Sequence, residues 1–281
     1  MRTVDLLLIA GVLLISAFAG IIGSIFGLGG GIIIIPLLTL ILGFDMKDAI
    51  GASLIGVIAS STGAAGRYVS EGLVNIRLGM LMEPATTVGS IVGALLAVYL
   101  DQTILAIAFS AVLIYSSYYM MKRPEVTIHS KRGDLCRRLD SSYLDPQTGE
   151  WVEYEVHNLP RGLIASFGAG NMSGMLGVGG GIVKVPAMNV WMGIPMKVST
   201  STSNFMIGVT AVAGALVLYV NGLIPPILAA TVALGVFAGA SLGPKIVKRT
   251  AGRALRRYFA IVLIIMAIFM ILEALGLGGI S

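Results

Sequence analysis

Apolar segments follow one another along nearly the whole chain, at about 4–26, 31–43, 49–66, 78–99, 103–121, 162–176, 181–192, 198–220, 223–244 and 258–275. As helices rising about 1.5 Å per residue, several are long enough to cross roughly 30 Å of hydrocarbon. A water-soluble domain has no interior large enough for so much apolar surface. Charged residues make up 12% of the 281 residues, against roughly a quarter in soluble domains. The expected fold class is therefore an all-α integral membrane protein in contact with a lipid bilayer. The segment from Val4 to Phe26 is too long for the apolar region of a cleaved signal and runs directly into a glycine-rich stretch, so it is read as part of the fold. The net charge of +5 comes from basic residues beside apolar segments, which points to membrane-flanking anchors and away from nucleic acid. A single cysteine, Cys136, excludes an internal disulfide and a multi-cysteine metal or redox site. Both histidines, His129 and His157, fall in the one polar stretch. No metal and no cofactor is expected.

Segments 31–43 and 181–192 are too short to span. Each begins at a glycine knot, in SIFGLGGGIIIIP (24–36) and GMLGVGGGIVKVP (174–186). Gly27, Gly29, Gly30, Gly31, Ile32, Pro36, Gly43, Met46, Lys47 and Ser53 align without a gap to Gly177, Gly179, Gly180, Gly181, Ile182, Pro186, Gly193, Met196, Lys197 and Ser203. Farther on, YVSEGL (68–73) matches YVNGL (219–223) with one deletion. Duplication explains the pattern. It divides the chain into a first transmembrane repeat (1–121), a polar loop (122–161) and a second repeat (162–281). Within the loop, DPQTGEWVEYEV joins a turn signal to alternating residues, which suits a small β-hairpin.

Charge decides how the repeats are expected to lie. The loop before the last helix of the second repeat, KIVKRTAGRALRR (245–257), is strongly basic, whereas its counterpart YLDQ (99–102) has neither Lys nor Arg. Basic loops stay in the cytoplasm, so equivalent loops face opposite sides and the repeats are expected to have inverted topology. The polar loop 122–161, flanked by Lys122, Arg123 and Arg161, then faces the cytoplasm. Each repeat becomes a broken-helix, re-entrant-like hairpin bent at its knot, followed by about three spanning helices.

Consecutive glycines inside a helix cost about 1 kcal/mol each relative to Ala. Two readings fit their presence: close helix crossing, or close approach of a ligand to the free amides at the start of a half-helix. The second makes Gly29, Gly30, Gly31, Gly179, Gly180 and Gly181 an anion seat, with Pro36 and Pro186 as structural residues of the motif. Lys184 stands where the first repeat has Ile34. A lysine within an apolar segment is either a counter-charge for an anion or a chain that snorkels to the interface. Ser53, Ser203 and Asn204 offer hydroxyl and amide donors nearby; helix capping is the alternative for the neighbouring Ser199 and Thr200. Glu83, within GMLMEPATTVGS, is a candidate for a coupling proton or else a partner of Arg77 at the interface.

At GLGGGIIIIP, GVGGGIVKVPAM and MGIPMKVSTSTSNFMIG, the chain resembles the TauE/SafE family of sulfite exporters and organosulfonate transporters. The resemblance covers both halves but not the central loop. It implies a plasma-membrane carrier of small sulfur-containing anions such as sulfite, sulfoacetate or related organosulfonates. It carries the family motif onto Gly29, Gly30, Gly31, Pro36, Gly179, Gly180, Gly181 and Pro186, with Ser203 and Asn204 behind the second knot. A passive anion channel, a carrier for a small carboxylate, and a non-transporting sensor built around the central loop are the other readings. An intramembrane hydrolase is disfavoured because neither histidine lies in an apolar segment and no Gly-x-Ser-x-Gly occurs. The glycine-rich faces also suit a homodimer. Alternating access driven by the proton gradient is the expected mechanism.

Overall fold

A computed structural model describes residues 6–121, 134–144, 149–247 and 252–274. Residues 122–133, which include His129, lie outside the described residues, as do 145–148 and 248–251. The first half contains α1 (Leu6–Phe26), α2 (Gly31–Pro36), α3 (Met46–Ser70), α4 (Ile76–Tyr99) and α5 (Gln102–Met121). A short helix, α6 (Asp134–Arg137), precedes the strands β1 (Ser141–Leu144) and β2 (Trp151–Tyr154). The second half contains α7 (Leu159–Leu176), α8 (Gly181–Pro186), α9 (Met196–Val220), α10 (Pro226–Val247) and α11 (Gly252–Ala274). Among the described residues, Leu8–Phe26, α3, α4 and α9 are long and apolar enough to cross a membrane, by length and composition.

The glycine knots break the helices where expected. After α1 the chain reverses through Gly27–Gly30, and α2 starts from Gly30 at φ 86°. After α7 the same happens, with Gly180 at φ 70°. A left-handed backbone there is open to glycine and strained for other residues. Pro36 and Pro186 end the regular turns because proline lacks an amide hydrogen and crowds the preceding turn. A wider helical turn follows each, at Leu37–Ile41 and Ala187–Trp191. In the second, the Met192 amide donates to the Ala187 carbonyl five residues back, at 3.1 Å.

The two halves interpenetrate. α1 packs on α10 and α7 on α4; α3 packs on α10 and α9 on α4. The remaining long pairs, α3 with α9 and α5 with α11, join equivalent helices of the two halves. Glycines permit these crossings. A methyl at Gly20 would strike the Val236 backbone, and one at Gly170 the Thr86 backbone. Gly239 meets Ala17 in the same way, and Gly89 meets Phe167. Each contact recurs with the halves exchanged, at the offset of 150 residues that separates Gly31 from Gly181.

That offset corrects one feature of the sequence alignment. No residue is deleted after Tyr68. α3 and α9 each have 25 residues, and Gly72 and Gly222 follow them at φ 67° and 72°. The Leu73 amide donates to the Tyr68 carbonyl and the Leu223 amide to the Leu218 carbonyl, both at 3.0 Å. The duplication kept helix length and the closing glycine; the tyrosines Tyr68 and Tyr219 stand one position out of step.

β1 and β2 pair antiparallel, Ser141 opposite Tyr154 and Leu144 opposite Trp151. The hairpin is not a free appendage. Cys136, Leu139, Tyr143, Tyr154 and Val156 are buried in one cluster with Leu78, Met82, Met188, Met192 and Met206 of the helices. Asn75 ties the two together. Its Nδ2 donates to the Leu139 carbonyl at 2.9 Å and to the Tyr154 hydroxyl at 3.1 Å, while its Oδ1 caps α4 through the Leu78 amide. Burial raises the Tyr154 pKa, so the phenol meets Asn75 in its neutral form. The His157 amide donates to the Met192 carbonyl at 3.0 Å, anchoring the far end of the insert to the wide turn after α8.

Candidate functional site

The two knots meet. A methyl at Gly31 would overlap the Gly177 carbonyl, and one at Gly181 the Gly27 carbonyl. Ser53 Oγ donates to the Gly177 carbonyl at 2.8 Å, and its counterpart Ser203 Oγ to the Gly27 carbonyl at 3.0 Å. Each half therefore supplies a serine that satisfies the carbonyl exposed where the other half's helix breaks. Asn204 Nδ2 donates to the carbonyls of Ser24, at 3.0 Å, and Thr200, at 3.2 Å. Tyr68 donates to the same Ser24 carbonyl at 3.1 Å. In this conformation the donor hydrogens of Ser53, Ser203 and Asn204 are engaged with the backbone of the bends. Asn204 Oδ1 is buried with no hydrogen-bond partner. Gly29 lies against Val57 and Ile207, and Gly179 against Val57, so apolar side chains line the outer turn of both bends. Pro36 and Pro186 are buried.

Lys184 does not snorkel: it is 0% exposed. Its Nζ donates to Thr210 Oγ1 at 3.1 Å, and Thr210 Oγ1 stands 2.7 Å from Glu83 Oε1. A hydroxyl has one hydrogen and two lone pairs. Thr210 can therefore accept from the ammonium and donate to the carboxylate at once. The Met206 carbonyl, 3.3 Å from the same Oγ1, is a second acceptor within its reach. Thr87 Oγ1 lies 3.5 Å from Glu83 Oε1, and Thr86 Oγ1 donates to the Glu83 carbonyl at 2.8 Å. Glu83 Oε2 is buried with no hydrogen-bond partner. Glu83 is half-buried, with Oε1 turned to Thr210 and through it toward Lys184.

The relay exists in one half only. At the same offset, Ile34 replaces Lys184, Ser60 replaces Thr210 and Ala233 replaces Glu83. Sequence reasoning missed Thr210. Seven residues past Ser203, it shares the inward face of α9, and that spacing was the available signal. The site thus contains a fully enclosed cation, a carboxylate linked to it through one hydroxyl, and two touching helix breaks whose first amides lack intrahelical partners.

The sequence profile of the family described as Sulfite exporter TauE/SafE matches residues 12–270. "Probable membrane transporter protein YunE" of Bacillus subtilis is 26% identical, over 92% of this chain and 95% of its own length. "Probable membrane transporter protein MJ0441" of Methanocaldococcus jannaschii is 27% identical, over 95% of this chain and 97% of its own. "Sulfite exporter TauE/SafE family protein 5" of Arabidopsis thaliana is 27% identical over 59% of this chain and 37% of its own. No solved structure matches. With the helical architecture and its apolar spans, the match over nearly the whole length makes this chain a member of the sulfite exporter TauE/SafE family, a multi-pass, predominantly helical membrane protein.

Proposed function

We propose that the protein is a secondary transporter of small sulfur-containing anions, such as sulfite, sulfoacetate or related organosulfonates, in the plasma membrane. The two halves lie with inverted topology, the central loop faces the cytoplasm, and the halves rock about the meeting point of the knots to give alternating access. The proton gradient drives the cycle, with Glu83 as the proton carrier. The anion is held by Lys184 and by the amides of Gly29–Gly31 and Gly179–Gly181. Ser53, Ser203 and Asn204 shape the bends and release donors to the anion as the site opens.

The observation that carries this reading is the burial of Lys184. An enclosed ammonium whose link to its one carboxylate runs through a single hydroxyl keeps N–H donors open to an anion. Its complete enclosure also favours a carrier over a channel, because a solute reaches Nζ only after helices move. Sulfonate and sulfite oxygens accept several hydrogen bonds and suit a cluster of N–H donors.

The test is flux into proteoliposomes preloaded with unlabelled anion. A carrier accelerates uptake of labelled sulfite or organosulfonate by exchange, whereas a pore does not. Lys184→Met is expected to reduce flux by about a hundredfold or more, as for removal of one partner of a buried charge pair. Wild-type flux in the Lys184→Met protein would remove the lysine from the mechanism, and selective flux of simple carboxylates would replace the sulfur-anion assignment.

A further inference from the structure

We infer that Lys184, Thr210 and Glu83 form a charge-exchange relay that restricts transport to monovalent anions, each moving with one proton. The inference rests on the transport reading above and narrows its substrate class.

The argument is one of charge count in an enclosed space. Lys184 is the sole charged side chain among the buried described residues. Glu83 is the carboxylate that acts on it electrostatically, and the contact runs through Thr210. The other packed elements add no titratable group at this point. α7 carries Arg161 at its exposed start, and α9 carries Lys197 at its own start and Tyr219 near its end. On α4 itself, Arg77 is exposed in the first turn. With Glu83 ionised the empty relay is neutral.

Thr210 takes one of the three N–H groups of the ammonium, and an entering anion binds the other two and draws Nζ away from Thr210. As it takes Nζ, the Thr210 hydrogen turns to the Met206 carbonyl, its second acceptor at 3.3 Å. Glu83 then loses both its hydroxyl donor and its countercharge. Its Oε2 already lacks a partner, so a proton binds there and restores neutrality. One proton balances one negative charge. A divalent anion would leave an uncompensated charge inside the protein, which is strongly unfavourable. Within the proposed substrates, hydrogensulfite and monosulfonates fit, and sulfoacetate with both acids ionised does not. Thr210 acts as the positioning residue that makes the anion and Glu83 compete for a single lysine.

Methanesulfonate and methanedisulfonate separate the cases, because both remain fully ionised at any pH used. In proteoliposomes with clamped voltage, the wild-type protein is expected to move methanesulfonate with about one proton per anion and no dependence on voltage. Methanedisulfonate is expected to move about a hundredfold more slowly. Glu83→Gln is expected to carry methanesulfonate without protons and with flux that follows voltage. Thr210→Val loses the coupling ratio and Thr210→Ser restores it, which a purely structural role would not predict. Comparable flux of the two probes, voltage-dependent wild-type flux, or a Glu83→Gln protein that still moves one proton per anion would overturn the relay while leaving sulfur-anion transport intact. Absence of wild-type flux for either probe and for sulfite would overturn the transport reading and the relay together.

Discussion

Thr210 and Ser203 lie on one face of α9 yet do different work, and substitution separates them. Ser203→Ala and Ser53→Ala each strip a hydroxyl donor from a carbonyl at the opposing bend. Each is expected to lower stability by about 1 kcal/mol, the usual net value of such a bond, rising toward 2–3 if the carbonyl stays buried and unpaired. Thermal unfolding in detergent measures this, and equal losses in the two variants would follow from their matched geometry. Lys184 was readable from sequence because its repeat counterpart, Ile34, marks the charge as an addition. Thr210 was not. A lone threonine in an apolar helix normally bonds back to its own turn, as Thr210 also does with Met206, and its partner Glu83 lies 127 residues away.

At the scale of elements, the breaks depend on glycine for two separable reasons. Gly30 and Gly180 supply the left-handed turn, while Gly31 and Gly181 admit the opposing carbonyl. Gly181→Ala keeps helical geometry but forces a methyl into the Gly27 carbonyl, and about 1–3 kcal/mol of destabilisation is expected. Gly66→Ala on α3 is the control: nothing lies within 4 Å of the added carbon, so stability should hold or rise by up to about 1 kcal/mol. The hairpin insert poses a similar question at Asn75. Asn75→Ala removes the cap of α4 and both ties to the insert. A loss of about 1 kcal/mol from the cap alone is expected, together with faster proteolytic nicking between α6 and β2. Unchanged cleavage would show that the apolar cluster around Tyr143 and Tyr154 is sufficient to hold the insert.

The whole molecule is one body because its halves trade helices. α1 finds its main partner in α10, and α7 in α4, so neither half can satisfy its own glycine-lined faces. Residues 1–121 and 122–281 expressed separately are expected to be degraded or aggregated, whereas co-expression should yield a complex that co-purifies and unfolds as a unit. Independent stability of either fragment would mean that the exchanged pairs contribute little.

Hydropathy and the doubled glycine knots were sufficient to read the membrane class and the helix breaks, and the misfit lysine singled out Lys184. All of these follow from local physics: apolar length, backbone freedom at glycine and the cost of a charge in hydrocarbon. Three things were decided only in three dimensions. One is which helix of one half lies on which helix of the other, since apolar faces rich in small residues fit many partners equally well until the whole set closes. Another is the seating of the central insert on α4. The last is the link from Lys184 through Thr210 to Glu83, because three side chains on three helices become a relay only when packing brings them within hydrogen-bond distance.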